Sequence, residues 1–126
     1  MGVPIATVIS IKIGLPLIIA TKRNKKVNEQ RTVLYKTGYE SGYLHFNSIH
    51  SGDNILIIDD VISTGGTMLC MIKAVKKYDA NVVDIGAIIN KTDYMGLETL
   101  HKNNFDPKFL LNVKLNGFQV EIEDVS

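Results

Sequence analysis

Two adjacent carboxylates at the end of an aliphatic run are the residues of this chain best suited to chemistry. Asp59 and Asp60 directly follow the apolar residues 55–58. A charge buried without a partner in a sheet costs on the order of several kcal/mol, so we expect both carboxylates at the open carboxyl edge of a sheet. Ligands of open α/β folds bind at that edge. Ionised carboxylates accept hydrogen bonds, and the vicinal hydroxyls of a sugar are donors that fit such a pair.

The residues that follow the carboxylates are suited to binding a phosphate group. Gly65 and Gly66 tolerate positive φ and let backbone N–H groups converge. A helix is expected to begin there, and its positive end favours an anion. Ser63, Thr64 and Thr67 add hydroxyl donors. Because carboxylates repel a phosphate, the acidic pair should face the sugar, and the whole segment predicts a sugar phosphate as ligand.

The elements that must position this segment form a βαβ unit. The run Asn54 to Ile58 is typical of a strand buried on both faces of a parallel sheet, and it should end at Asp59. Apolar residues at helical spacing after Gly66 predict a helix, and Val82 to Ile89 predicts the next strand. Strand, helix and strand of these lengths require parallel strands and a right-handed crossover.

The rest of the chain predicts further short elements. A buried helix is expected over Val3 to Ile13, with Gly14 just past its end. Asn116-Gly117 is a strong signal for a β-hairpin. The other expected elements are strands over Leu17 to Ala20, Thr32 to Tyr35, Tyr43 to Phe46, Phe109 to Leu115 and Phe118 to Ile122, and a short helix over Leu97 to Asn103.

Length, charge and cysteine content exclude several classes of protein. The 126 residues are 45% hydrophobic, which predicts one domain spanning residues 1–126. Fourteen basic and thirteen acidic residues give a net charge of +1, which argues against a nucleic-acid or membrane-surface binder. Lys12 and Pro16 interrupt the apolar N-terminal run, so we expect no membrane span. The single cysteine, Cys70, excludes a disulfide scaffold and favours the cytoplasm.

The segment from Ile55 to Thr67 resembles the phosphoribosyl diphosphate signature of type I phosphoribosyltransferases. That signature has several hydrophobic residues, two acidic residues, a hydrophobic and a variable residue, Ser or Thr, two small residues and Thr, and every position is matched here. A Walker A loop is excluded because no lysine follows the glycines. Less specific matches make nearly the whole chain similar to archaeal-type hypoxanthine/guanine and adenine phosphoribosyltransferases; they are residues 2–6, 15–23, 37–39, 44–46 and 51–53.

The resemblance implies a three-layer α/β fold with a mostly parallel sheet and a role for each residue of the signature. Asp59 and Asp60 would bind the ribose hydroxyls and act in catalysis, and the following residues would hold the 5′-phosphate. Mg²⁺ would be bound mainly through phosphoribosyl diphosphate, with no metal site made by the protein itself. The residues implied in binding phosphoribosyl diphosphate are Asp59, Asp60, Val61, Ser63, Thr64, Gly65, Gly66 and Thr67.

The resemblance also implies contacts with pyrophosphate and with the base. Gly2, Lys22 and Arg23 would contact pyrophosphate, and residues 22–48 would form a mobile loop or hairpin that closes over the site; a solvated hairpin is the alternative interpretation of this basic cluster. In 6-oxopurine members a lysine near the end of the strand after the phosphate-loop helix donates to the purine oxygen. Lys91 lies at about that point, although Asn90 could occupy the position. A charged lysine cannot accept from a 6-amino group, which favours hypoxanthine or guanine over adenine.

The sequence departs from the family at its N-terminus. Members of the family have a strand and further residues before the glycine that Gly2 matches, so we expect the first family strand to be missing, weak ligand binding and low turnover. An open strand edge recruits other strands, which predicts a homodimer. The function implied is purine salvage, with transfer of phosphoribosyl to a purine and release of pyrophosphate. The alternative is a non-catalytic or weakly active regulator that binds phosphoribosyl diphosphate; the retained acidic pair favours the enzyme.

Overall fold

The computed structural model describes residues 1–23, 30–36 and 41–125, which fold into three helices and two β-sheets. The helices are α1 (Val3–Ile13), α2 (Gly66–Lys77) and α3 (Gly96–His101). The strands are β1 (Ala20–Thr21), β2 (Gln30–Lys36), β3 (Ser41–Asn47), β4 (Asn54–Ile62), β5 (Asn81–Lys91), β6 (Leu111–Asn116) and β7 (Gln119–Asp124).

The larger sheet contains the predicted βαβ unit. Its strand order is β4-β5-β6-β7, with parallel pairing of β4 with β5 and of β5 with β6, and antiparallel pairing of β6 with β7. Helix α2 connects the parallel strands β4 and β5. Asp59 lies opposite Ala87 and Ile62 lies opposite Asn90, so the ends of both strands meet at one edge of the sheet. The expected mixed α/β fold with a mostly parallel sheet is confirmed.

A second, antiparallel sheet packs against α2. Its order is β1-β3-β2, and the end of α2 is fastened to β2 through Thr32. The backbone N–H of Thr32 donates to the Tyr78 hydroxyl at 3.2 Å, and Lys77 Nζ donates to the Thr32 carbonyl at 3.4 Å. Side chains from both sheets and α2 share one core, which includes Leu44, Phe46, Ile57, Met68, Ile72, Val75 and Ile85.

The prediction that α1 is buried was wrong. None of its residues is buried, and the side chains of Val8 and Ile11 are 65% and 77% exposed. The helix is apolar on nearly every side, so its sequence contains no periodicity that could identify a packing face. Exposure of this helix leaves an apolar surface beside β4.

Two predicted strands differ most from the structure in their bounds. Strand β4 does not end at Asp59 but continues to Ile62, because the parallel ladder extends through the pairs Val61–Ile89 and Ile62–Asn90. In place of a strand over residues 17–20, β1 contains only Ala20 and Thr21, the two residues that pair with β3. Both differences arise from pairing with strands distant in the sequence, which local composition does not record.

The C-terminal hairpin forms where its turn signal predicts. Gly117 has φ +62°, a value that favours glycine, and Asn116 pairs with Gln119 across the turn.

Among the helices of the described residues, none combines the length and apolar character that crossing a membrane would require.

Candidate active site

Asp59 and Asp60 lie half-buried near the carboxyl end of β4. The backbone N–H of Asp60 donates to Asp59 Oδ1 at 2.9 Å, which fixes the Asp59 side chain. Burial raises the pKa of the Asp59 carboxyl, and the side chain and charge of Asp60 raise it further, while the hydrogen bond from the Asp60 backbone lowers it in part. Both carboxylates therefore belong to strand β4 itself and are half-buried; they do not lie fully exposed beyond its end.

The β4–α2 loop, residues 63–65, leads directly into the N-terminus of α2. Gly65 has φ +77°, and its carbonyl accepts the first helical hydrogen bond, from Leu69 N–H at 3.0 Å. The first amides of a helix have no acceptor within the helix, and no acidic residue in the first turn of α2 offsets their partial positive charge. The loop and helix surround a hollow of 60 Å³ lined by Asp59, Val61, Ile62, Ser63, Thr64, Gly65, Gly66, Thr67 and Met68. Its donors suit a phosphate group.

A larger cavity adjoins this hollow. It measures 410 Å³ and lies between α1, β1, β4 and α2. Asp59 and Thr67 line both spaces, so the hollow and the cavity adjoin there. The lining of the cavity is mostly apolar, with Lys22 and Asp59 as its charged side chains. Asp60 lines neither of the two spaces.

The larger cavity also gathers two of the three predicted pyrophosphate residues. Gly2 and Lys22 line it together with Asp59, although the three are far apart in the sequence. Lys22 Nζ lies 5.2 Å from the centre of the Tyr35 ring. Arg23 is exposed and outside the lining, and its backbone N–H donates to Thr21 Oγ1 at 3.1 Å. Residues 24–29 and 37–40 of the predicted loop lie outside the described residues.

Gly2 approaches Asp59 more closely than any larger residue could. A Cβ built on Gly2 would lie 2.7 Å from Asp59 Cα and 2.8 Å from Asp59 Oδ1. The start of α1 is thereby held against the acidic pair, which makes the absence of a side chain at this position a structural requirement.

The base candidates Asn90 and Lys91 end β5 and differ in their surroundings. Asn90 is 3% exposed, and its Nδ2 donates to Asn112 Oδ1 at 2.8 Å. Lys91 is half-buried, with Nζ 6.0 Å from the centre of the Tyr94 ring. Alternation along β5 puts Lys91 on the same face as Ala87, the residue opposite Asp59. Neither residue lines the two spaces described above.

Sequence reasoning did not identify the contribution of α3 to this site. Gly96 and Leu100 lie directly against Gly65 of the β4–α2 loop. The only sequence signal was an isolated glycine after β5, which does not reveal a contact with a loop so distant along the chain. Within the described residues, no group of three or more histidine, cysteine, aspartate or glutamate side chains is arranged to hold a metal ion.

The raised pKa of Asp59 predicts that stability falls as the pH rises. The folded state holds the Asp59 proton more tightly than the unfolded state. The free energy of unfolding should therefore decrease as the pH rises from 3.8, the usual pKa, through the higher pKa of the folded state. We expect Asp59→Asn to raise Tm at pH 7 and to leave it nearly unchanged at pH 3. Asp84→Asn is the control, because Asp84 Oδ1 accepts the same kind of hydrogen bond, from Ile85 N–H at 2.9 Å. A lower Tm for Asp59→Asn at pH 7 would contradict this account.

Known proteins resemble this chain in sequence over nearly all of its length. The hypoxanthine/guanine phosphoribosyltransferase of Methanosarcina mazei is 38% identical over 99% of the chain, and the protein of the same name from Ferroglobus placidus is 38% identical over 98%. The chain spans 65% of the length of each of these curated relatives.

Solved structures resemble it in fold. The adenine phosphoribosyltransferase of Thermoanaerobacter pseudethanolicus matches 88% of this chain and 64% of its own with a TM-score of 0.79 and 22% identity. The adenine phosphoribosyl transferase of Trypanosoma brucei, solved in complex with AMP, pyrophosphate and ribose 5-phosphate, matches 88% of this chain and 52% of its own with a TM-score of 0.76 and 25% identity.

The match to a family model spans the residues of the candidate site. The model of the phosphoribosyl transferase domain matches residues 1–124, which include Gly2, the acidic pair and the β4–α2 loop. Since the family model matches residues 1–124 and the fold is that of solved adenine phosphoribosyltransferases, this chain belongs to the phosphoribosyl transferase domain family.

Proposed function

We propose that this chain transfers the phosphoribosyl group of phosphoribosyl diphosphate to a purine base in nucleotide salvage, with release of pyrophosphate. The observation that carries the proposal is the position of Asp59, which borders both the hollow and the larger cavity. The hollow at the start of α2 offers donors for the 5′-phosphate, and Asp59 at its border offers an acceptor for the ribose hydroxyls. The archaeal relatives named as hypoxanthine/guanine phosphoribosyltransferases support the same reaction.

The residues of the site position the reactants and stabilise charge. The bond between ribose C1 and pyrophosphate loosens, and positive charge spreads over the ribose ring as the purine nitrogen approaches. Asp59 and Asp60 accept hydrogen bonds from the ribose hydroxyls, and their negative charge stabilises the electron-poor ring. The β4–α2 loop and the start of α2 anchor the 5′-phosphate through Ser63, Thr64 and Thr67, so the ring is held where the purine can attack.

In this proposal the pyrophosphate lies beside Gly2 and Lys22, which line the larger cavity together with Asp59. Gly2 lets the backbone at the start of α1 approach Asp59 closely. Lys22 supplies positive charge, and its place in the lining of the same cavity supports this role. Arg23 would join them only after a movement, since it lies outside the lining. We propose that the predicted loop within residues 22–48 supplies this movement and excludes water from the reacting atoms, while Leu44 and Phe46 of β3 stay in the core.

Mg²⁺ fits the donor chemistry of the site. Two carboxylates provide the hard oxygen ligands that this ion prefers, although phosphoribosyl diphosphate would hold it mainly through its own oxygens. When bound, the ion neutralises charge on the leaving pyrophosphate. Asp59 and Asp60 would contribute by holding the ribose through its hydroxyls.

Lys91 is the residue proposed to read the base. It ends β5 on the face that also carries Ala87, opposite Asp59, whereas Asn90 lies on the other face. The Nδ2 of Asn90 donates to Asn112, and its buried Oδ1 has no partner among the described residues. Donation from Lys91 Nζ to a 6-oxo group would favour hypoxanthine or guanine over adenine. The names of the archaeal relatives support this preference.

We also propose that residues 1–126 act as one domain and associate as a homodimer in the cytoplasm. Strand β4 is an edge strand of its sheet. Apolar side chains are also exposed on α1 and on one face of the β6–β7 hairpin, where Leu115, Val120 and Ile122 are each at least half exposed. Exposed strand edges and apolar patches favour association. A cytoplasmic location is supported by the single reduced cysteine, Cys70, which is buried.

A purine-dependent assay of pyrophosphate release tests the proposed reaction. With phosphoribosyl diphosphate and Mg²⁺ present, kcat/KM for pyrophosphate release should be at least about tenfold higher with hypoxanthine or guanine than with adenine. This ratio is expected because adenine loses one hydrogen bond and leaves its 6-amino donor facing the donor Lys91 Nζ. Lys91→Gln should reduce that preference, because a neutral amide can both donate and accept. Adenine as the better substrate would contradict the role of Lys91. Binding of phosphoribosyl diphosphate without any pyrophosphate release would identify a regulator instead of an enzyme.

A further inference from the structure

Helix α3 begins in direct contact with the β4–α2 loop, at a point where no side chain fits. A Cβ built on Gly96 would overlap the carbonyl oxygen of Ser63. The same Cβ would lie 2.8 Å from Ile62 Cγ2 and 2.9 Å from the carbonyl carbon of Ser63. Because two of these atoms belong to the backbone, a larger residue could enter only if the loop itself moved.

The contact is reciprocal, since a glycine of the loop packs on the glycine of the helix. A Cβ on Gly65 would lie 3.0 Å from the Gly96 carbonyl oxygen and 3.5 Å from Gly96 Cα. The same point lies 3.5 Å from Leu100 Cγ, and Leu100 is 0% exposed. Gly65 therefore packs both on the backbone of α3 and on the fully buried Leu100 side chain.

Helix α3 is held in place by its own hydrogen bonds. Gly96 N–H donates to the Tyr94 carbonyl at 2.8 Å, and the Met95 carbonyl accepts from Thr99 N–H at 3.0 Å and from Thr99 Oγ1 at 2.6 Å. These contacts fix the first turn of α3 independently of any ligand. Gly96 itself lines neither the 60 Å³ hollow nor the 410 Å³ cavity.

We propose that Gly96 is a positioning residue for phosphate binding, acting through Ser63 and Gly65 without touching the ligand. This inference rests on the proposed function of the loop. An anion held by converging amides and hydroxyls depends on their relative positions, and a displacement of about 1 Å can lower the rate or affinity by on the order of 10²-fold. The backbone contact of α3 with the loop sets those positions, and any side chain at residue 96 changes them.

The test compares Gly96→Ala with Gly86→Ala by calorimetric titration of ribose 5-phosphate. Gly86 is a suitable control because it is also buried near the site. Its added Cβ would lie 3.3 Å from Ile58 Cδ1, the end of a flexible side chain that can shift, and 3.5 Å from the Lys108 carbonyl oxygen, an ordinary contact distance. We expect Kd to rise by about 10- to 100-fold in Gly96→Ala and by less than about threefold in Gly86→Ala. Equal affinity of folded Gly96→Ala and wild type would overturn the inference.

Backbone amide spectra separate positioning from a general loss of stability. The resonances of Gly65, Gly66 and Thr67 should shift in unliganded Gly96→Ala while those of the β6–β7 hairpin stay in place; unshifted loop resonances would contradict the inference. If wild type does not bind ribose 5-phosphate, the proposed function fails, and these spectra still decide whether Gly96 sets the loop. If Gly96→Ala does not fold, Leu100→Val removes part of the same support, and an unchanged Kd in that variant would overturn the inference.

Discussion

Asp59→Asn and Asp60→Asn are each expected to lower kcat for phosphoribosyl transfer by on the order of 10²-fold, which corresponds to about 2.7 kcal/mol of transition-state stabilisation. Positive charge develops on the ribose ring only as the bond to pyrophosphate loosens, so removal of a negative charge affects the transition state more than the bound substrate. Asparagine retains the size of the side chain, and at position 59 it can still accept the hydrogen bond from Asp60 N–H. We therefore expect KM to change by much less than kcat.

Steady-state kinetics of the two variants relative to wild type measures this effect, whatever the absolute turnover of the chain. Asp84→Asn is the matched control, because Asp84 lies in the adjacent parallel strand β5 and accepts a hydrogen bond from the next backbone N–H as Asp59 does, but is exposed. It should leave kcat unchanged. Wild-type turnover in both Asp59→Asn and Asp60→Asn would refute the assignment of the acidic pair.

Gly65→Ala should weaken ribose 5-phosphate binding by on the order of 10²-fold. Two effects combine at this position: a φ of +77°, which costs a side chain about 1–2 kcal/mol, and the Gly96 carbonyl oxygen only 3.0 Å from the new Cβ. The loop can relieve both only by moving, and movement separates the amides and hydroxyls that surround the phosphate. Calorimetric titration of ribose 5-phosphate measures the change in Kd.

Gly52→Ala separates the two effects. Gly52 has φ +83°, and a Cβ there would meet nothing within 4 Å, so the variant carries the backbone strain without the contact. It should lose stability and keep the wild-type Kd. Equal Kd values for Gly65→Ala and wild type would show that the β4–α2 loop does not hold the phosphate.

The parts of the fold that sequence predicts well are those whose cause is local. The aliphatic run before Asp59 predicts a parallel strand, the glycine pair predicts the turn into α2, and Asn116-Gly117 predicts the last hairpin. The predicted burial of that strand on both faces was wrong, because β4 is an edge strand and Leu56 is 40% exposed. In each of the three cases the local backbone requires a particular residue type, aliphatic in the strand and glycine in the two turns, and the sequence has that type at that position. The same reason explains why the acidic pair and the β4–α2 loop could be found together as a candidate site.

The features that sequence did not predict depend on contacts between distant residues. The exposure of α1 could not be predicted because its sequence is apolar on nearly every side, so no face is marked for burial. The extension of β4 to Ile62 depends on pairing with β5. The contact between Gly96 and Ser63 leaves no local pattern, since a single glycine after a strand has several possible causes.

The most direct test of the account is an amide chemical-shift titration of the ¹⁵N-labelled chain with phosphoribosyl diphosphate and Mg²⁺. The proposed site predicts shifts at Asp59, Asp60 and residues 63–68, with further shifts at Gly2 and Lys22 where the larger cavity is lined. Residues of the β6–β7 hairpin should not respond. The absence of shifts at residues 59–68, or shifts confined to another surface, would contradict the assignment of this segment as the phosphoribosyl diphosphate site.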